Sequence, residues 1–226
     1  MTEPHKTEAD HLEIARLAVL EAALPHVVFD GWSAATLDAA VSDSGVDVGL
    51  AAQVFPRGAI DLAVAFHMHG DQQLTQAMLA TDMTNMRYRD RVAYGVCKRL
   101  EIAAPNREAV RRATTLFALP THNADGAKAI WHTADTIWNA LGDTSLDVNW
   151  YTKRATLSAV YSAALLFWLG DESGGADTDA FIARRVNDVM QFEKLKASVR
   201  DTALAKAFMA GPGRILDGIS APKHRK

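Results

Sequence analysis

The residues that usually carry enzyme chemistry are scattered along this sequence. Glu8 and His11 form its one Glu-x-x-His pair, whereas a di-iron site built on helices needs two such pairs and two further glutamates. His67 and His69 stand two apart in a helical stretch. There their side chains diverge by ~200° and cannot chelate one ion together. His122 and His132 have no acidic or thiol ligand set beside them, and Cys97 is the single cysteine, so neither a disulfide framework nor a cysteine metal knuckle is expected. No glycine loop that cradles phosphate and no nucleophile elbow occurs. The sequence therefore predicts no catalytic centre, no metal and no cofactor; any redox step would belong to a partner.

The chain that must position any binding residues has 226 residues, of which 49% are hydrophobic and 23% charged. This is globular composition, and a chain of this length buries about 70% of its unfolded surface without staples. No run approaches the ~20 apolar residues of a membrane span, and the first residues, MTEPHKTEADHLEIA, are polar and acidic, unlike a secretory or transit signal. On these grounds a cytoplasmic protein is expected. The net charge of −3 hides an asymmetry: residues 1–64 carry 3 basic and 10 acidic side chains, while 194–226 carry 8 basic and 2 acidic. Such ends choose different partners.

Apolar residues recur at threes and fours nearly everywhere, and no alternation is long enough for a strand. The fold class is all-α, with some nine or ten helices. A first helix runs to near Pro25, and Ser33 caps a second that reaches about Ser42. A short helix spans about 48–54, and another starts near Arg57. Further stretches are expected at 74–80, 85–103, 107–117, 125–141, 150–169 and 178–196. The organisation expected is a head over 1–64, a helical core over 65–198 and a basic C-terminal segment over 199–226.

The order of the first four helices, within GWSAATLDAAVSDSGVDVGLAAQVFPRGAIDLAVAF at 31–66, resembles the three-helix DNA-binding unit of TetR-type repressors. The would-be recognition helix, Asp47 to Val54, begins with an acid and holds no Arg or Lys; Gln53 alone could read a base edge. A head this acidic repels a duplex, so no nucleic-acid partner is expected. A TetR-type regulator sensing a small apolar ligand is the alternative reading.

A second resemblance covers most of the chain. Residues 147–154 read Asp-Val-Asn-Trp-Tyr-Thr-Lys-Arg, followed by ATLSAVYSAALLFWLGD and then DTDAFIARRVNDVMQFEK. With HVVFDGWS at 26–33 and VFPRGAIDLAVAF at 54–66, these strings resemble the Coq-nine family of accessory proteins in ubiquinone (coenzyme Q) biosynthesis. The resemblance implies a TetR-like fold that is not a repressor, a homodimer, and an isoprenoid quinone or phospholipid held in the helical core. It also implies attachment to a membrane surface through a terminal helix, and help to the di-iron demethoxyubiquinone hydroxylase. The missing presequence suggests a bacterial member, peripheral to the cytoplasmic membrane.

The resemblance places partner contact at Trp150, Tyr151 and Arg154, with Ile137 and Leu141 nearby. Adjacent helical residues point about 100° apart, so Trp150 and Tyr151 cannot both face one core squarely. Candidate lipid contacts are Met78, Leu79, Met83 and Met86, then Phe117, Trp131 and Trp138, and then Tyr161, Leu165 and Trp168. Methionine clusters suit flexible ligands, although ordinary core packing is the better account of any one of these residues taken alone. In the C-terminal segment Leu204, Phe208, Ile215 and Ile219 fall within roughly 60° of a helical wheel, flanked by Met209 and Leu216. Gly211-Pro212-Gly213 interrupts that face. A basic amphipathic segment of this kind lies on anionic lipid. Deleting the chain from Arg200 onward is expected to abolish co-sedimentation with anionic liposomes; equal sedimentation of full-length and truncated protein would show that the segment packs on protein instead.

Overall fold

The computed structural model describes residues 7–200 and 221–222, and the described residues form nine α-helices with no strand. They are α1 (Glu8–Asp30), α2 (Ala34–Ser44), α3 (Val48–Val54), α4 (Ala59–Ala80), α5 (Tyr88–Ala103), α6 (Arg107–Phe117), α7 (Asn123–Ala140), α8 (Val148–Gly170) and α9 (Ala176–Arg200), with a 3-10 turn at Ala104–Asn106. Local chemistry explains the starts. Thr7 and Asp10 form a reciprocal capping box at α1. Ser33, Asp47 and Asp147 cap α2, α3 and α8 by accepting from the backbone N–H groups of Thr36, Leu50 and Asn149.

Two expected boundaries are corrected. The first helix does not stop at Pro25: α1 continues through it to Asp30. A proline removes one backbone hydrogen bond, and here Val27, fully buried beyond it, anchors the last turn. Gly31, at φ 64°, closes the helix by donating its N–H to the Val27 carbonyl at 3.0 Å. The stretches expected separately from Arg57 and at 74–80 are one helix, α4. Between them lies Gly70, a single helix-weakening residue that is itself buried.

The chain divides into two compact units, residues 1–72 with 103–129 and residues 73–102 with 130–226. In the first, α2 and α3 form a helix-turn-helix across the turn 45–47, where Gly45 takes the left-handed conformation. Its core gathers Val19, Ala23 and Val27 of α1 with Trp32, Ala40, Val54, Phe55 and Leu62, and α6 adds Ala109 and Ala113. Trp32 bridges these elements: its indole N–H donates to the Ala109 carbonyl at 3.0 Å, and its ring lies 5.2 Å from that of Phe66. In the second unit Val92, Val96 and Leu100 of α5, Ile137 of α7, Leu157, Tyr161 and Ala164 of α8, and Ile182 and Val186 of α9 are buried. Gly95 lets α5 approach closely, since a Cβ there would stand 3.0 Å from Ile137.

Trp32→Ala removes both a buried ring and a satisfied hydrogen bond. Denaturant unfolding should show a loss of about 3 kcal/mol or more, whereas Trp32→Phe, which keeps most of the ring and drops the donor, should cost clearly less.

Candidate functional site

The second unit brings two features to adjacent faces of α8: an aromatic cluster held over a buried charge network, and an apolar cleft. The cluster starts from two helical stripes. Trp131, Asp135 and Asn139 stand four apart on α7, and Trp150 and Arg154 four apart on α8, so each set shares a face. The Trp131 and Trp150 ring centroids lie 5.9 Å apart, and Tyr151 meets Trp150 edge-on at 4.8 Å. Trp150 is buried and Tyr151 half-buried, as the divergence of neighbouring helical side chains requires.

Arg154 lies beneath the rings with 1% of its side chain exposed. Its guanidinium stands 4.0 Å from the Trp150 ring centroid. It donates to Asp135, to Asp143 at 3.0 Å, to the Asn139 side-chain oxygen at 3.1 Å and to the Trp150 carbonyl at 3.3 Å. A planar, five-donor cation suits this enclosure better than an ammonium. The next residue back, Lys153, donates to the same Asp143 and to Ser145 Oγ, both at 2.7 Å, and its ammonium lies 5.5 Å from the Trp138 ring centroid. Two cations thus meet two carboxylates. Burial alone would raise the Asp143 carboxyl, but hydrogen bonds from Lys153, Ser145 and Arg154 outweigh it and hold the group at about 2.

The cleft has a volume of about 240 Å³ and takes its lining from α5, α7, α8 and α9. Val92, Leu157, Val160, Val186 and Val189 make one part apolar, while Asn149, Thr152, Lys153 and Thr156 bring polar groups along α8. Tyr88 and Trp138 complete it, with ring centroids 6.0 Å apart.

The expected site residues are distributed as follows. Trp150, Tyr151 and Arg154 come together, with Trp150 between the other two. Ile137 is fully buried against Gly95, and Leu141 is half-buried just beyond α7. Of the ten candidate lipid contacts, Trp138 lines the cleft. Met78, Tyr161, Leu165 and Trp168 are buried, Trp131 packs on Trp150, and Met83 and Met86 are half-buried before α5. Leu79 is 73% exposed. Phe117 belongs to the first unit, where it packs beside Gly126. Leu204, Phe208, Met209, Ile215, Leu216 and Ile219 lie outside the described residues; beyond them, the Ala221 N–H donates to the Leu146 carbonyl at 2.9 Å. The sequence reading missed Asp135, Asn139 and Asp143; the four-residue spacing of the first two marks a shared helix face but does not name the arginine they meet. It also missed the valines of α5 and α9. Among the described residues no group of three or more His, Cys, Asp or Glu side chains could hold a metal ion.

The charge network makes a pH prediction. Asp143 is held below its ordinary value near 3.8, so the unfolded chain takes up the proton first as the solution is acidified. Its stabilising contribution is complete above about pH 4 and is lost as the pH falls through about 2. Urea unfolding across that window should show the decline in the native protein and a flatter profile in Asp143→Asn, which should also be less stable at pH 7 because Arg154 and Lys153 lose a shared carboxylate.

Comparisons with known proteins agree with this architecture. The COQ9 family model matches residues 124–193, which include α8 and most of α7. The chain is 30% identical over 198 residues to the human "Ubiquinone biosynthesis protein COQ9, mitochondrial", covering 83% of this chain and 61% of that protein. It is 28% identical over 189 residues to the Drosophila melanogaster protein of the same name, covering 81% and 58%. It is also 30% identical over 200 residues to COQ9-B of Xenopus laevis, covering 83% and 66%. The chain thus spans about three fifths of the length of these relatives. Among solved structures, a TetR transcriptional regulator from Nitrosomonas europaea superposes with a TM-score of 0.61 at 18% identity, covering 76% of this chain and 95% of that one. That likeness shows the fold, which is TetR-like. Together with the Asn149-Trp150-Tyr151 string inside the matched segment, these matches make the chain similar to the COQ9 proteins over 83% of its length.

Proposed function

We propose that this protein is a noncatalytic accessory protein of ubiquinone biosynthesis. It binds an apolar-tailed ligand, a prenylated quinone intermediate or a phospholipid, in its second unit, and presents the quinone to the di-iron demethoxyubiquinone hydroxylase at a membrane surface. The observation that carries this reading is the pairing, on two sides of α8, of an apolar cleft with the half-buried Tyr151 ring that packs on buried Trp150. The relatives' printed names supply the pathway. The cleft supplies a place for an apolar group that water would otherwise surround, and Tyr151 supplies an amphipathic ring of the kind enriched at binding hot spots.

Docking would use Tyr151 together with Leu141, which the half-buried positions at the α7–α8 connection leave accessible. Trp150, Arg154 and Ile137 would act from beneath, as the support of that surface. The basic segment 199–226 would hold the protein at anionic lipid, peripheral to the bacterial cytoplasmic membrane, and two copies would form a homodimer. The helix-turn-helix would serve packing. Its third helix, capped by Asp47, places Val48 at 74% exposure where a DNA reader needs donors.

Mass spectrometry of lipids extracted from the purified protein tests ligand binding directly: a prenylated quinone or quinone precursor is expected, and a protein that carries no lipid and takes none up from quinone-loaded vesicles contradicts the reading. For the docking surface, Tyr151→Ala should weaken binding to the hydroxylase by about 2 kcal/mol, roughly 30-fold in Kd, with little change in melting temperature. A melt lowered by many degrees with unchanged affinity of the folded fraction would assign the ring to the core.

A further inference from the structure

Asp143 occupies an unusual position between the two features of α8. One of its carboxylate oxygens accepts from Lys153, which lines the cleft; the other accepts from Arg154, which stacks on Trp150. The side chain is 2% exposed, so water screens neither pair strongly. Lys153 is 36% exposed and carries three donors, of which one goes to Asp143 and one to Ser145; its ammonium also faces the Trp138 ring. The third N–H has no hydrogen-bond acceptor among the described residues.

The surroundings specify what that donor would take. The cleft is mostly apolar, and its polar groups come from successive turns of α8 and from the Tyr88 hydroxyl on α5. Its volume of about 240 Å³ lies just under the ~300 Å³ at which pockets begin to enclose a whole drug-sized ligand, so it fits a ring or head group and the first carbons of a chain. The Lys153 charge is already balanced by Asp143, which favours a neutral acceptor such as a carbonyl or ether oxygen over a carboxylate or phosphate.

We propose that Lys153 is the head-group contact of the cleft, donating to a neutral oxygen of an apolar-tailed ring compound, and that the Asp143 carboxylate it shares with Arg154 transmits occupancy to the Trp150–Tyr151 pair. The inference rests on the proposed function for the roles of the cleft and of the aromatic surface. Its physical content is local. When Lys153 turns toward a ligand oxygen, its bond to Asp143 lengthens, and that carboxylate oxygen becomes available to Arg154. The guanidinium has a second anchor in Asp135 and an amide anchor in Asn139, so a redistribution among three acceptors moves the plane against which Trp150 rests. By linkage, a ligand that changes the docking surface is itself bound differently when that surface is engaged.

The test uses the indole N–H resonances of the five tryptophans in the full-length protein, assigned by single Trp→Phe variants. Decylubiquinone is the probe with ring oxygens, and decylbenzene is the probe without them. Decylubiquinone should shift the Trp138 and Trp150 resonances with one common midpoint, whereas decylbenzene should shift Trp138 alone. In Lys153→Met, decylubiquinone should bind about tenfold more weakly and leave Trp150 unmoved; Lys153→Arg, which restores a donor, should recover part of both effects. Native-like dispersion of the other indole resonances verifies that each variant is folded. A Trp150 shift that persists in Lys153→Met overturns the coupling, as does a native protein in which Trp138 titrates and Trp150 does not. If Trp138 does not respond to either probe, the cleft is not the ligand site, and the reading on which the proposal rests fails along with it.

Discussion

A buried arginine sets the terms for the second unit. Arg154 cannot be solvated where it stands, so every donor it carries must find an acceptor from the protein. The acceptors come from three places: Asp135 and Asn139 one turn apart on α7, Asp143 in the connection that follows, and the carbonyl of Trp150 on its own helix. Satisfying all of them fixes the spacing and rotation of α7 against α8 and fixes the conformation of the connection between them. Buried ion pairs of this kind often contribute little net stability compared with apolar replacements, because desolvation offsets the attraction. Their geometry is demanding even so, and here the demand falls on the residues that hold Trp150 and Tyr151 in place. The network is better understood as fixing an orientation than as the main source of stability.

The same pair of adjacent residues explains how one helix serves two surfaces. Lys153 and Arg154 point about 100° apart, one toward the cleft and Trp138, the other toward Trp131 and Trp150. Their side chains reconverge on a single carboxylate because the 141–147 connection folds back over the start of α8, with Ser145 also bound to Asp143. A carboxylate held at about 2 remains charged throughout the physiological range, so the bridge between the two faces is permanent rather than switched by pH.

Much of the helical layout was legible in the sequence, because apolar spacing and capping residues are local signals. Ser33 as a cap and Val48–Val54 as a short helix appear as expected. The failures occurred where tertiary packing outweighs a local breaker: Pro25 inside α1, where buried Val27 holds the next turn, and the continuous α4, which the pattern divided. At the candidate site the four-residue spacing of Trp150 and Arg154 was readable, and so was the inability of Trp150 and Tyr151 to share a face. The acceptors of Arg154 were not, since Asp135 and Asp143 lie 19 and 11 residues away in sequence and nothing local pairs them with it. The cleft was harder still. Its walls are valines of α5, α8 and α9, which read as ordinary core from sequence, while the more conspicuous methionines and Phe117 pack elsewhere.

The helix-turn-helix depends on interior contacts: Thr36, fully buried, donates from its hydroxyl to the Gly31 carbonyl, and Trp32 ties the turn between α1 and α2 to Ala109 on α6. None of these interactions involves the outward side of α3. A reading helix needs Arg, Lys or amides at its exposed positions to reach base edges and phosphates. At its exposed positions α3 presents Val48, Ala52 and a single amide, Gln53, with no Arg or Lys, after an acidic cap and in a segment with 10 acidic and 3 basic side chains. The interior therefore accounts for the shared helix-turn-helix fold. A superposition with a TM-score of 0.61 compares backbones, which follow the interior. Binding is set by side chains at the surface, which a backbone superposition does not compare.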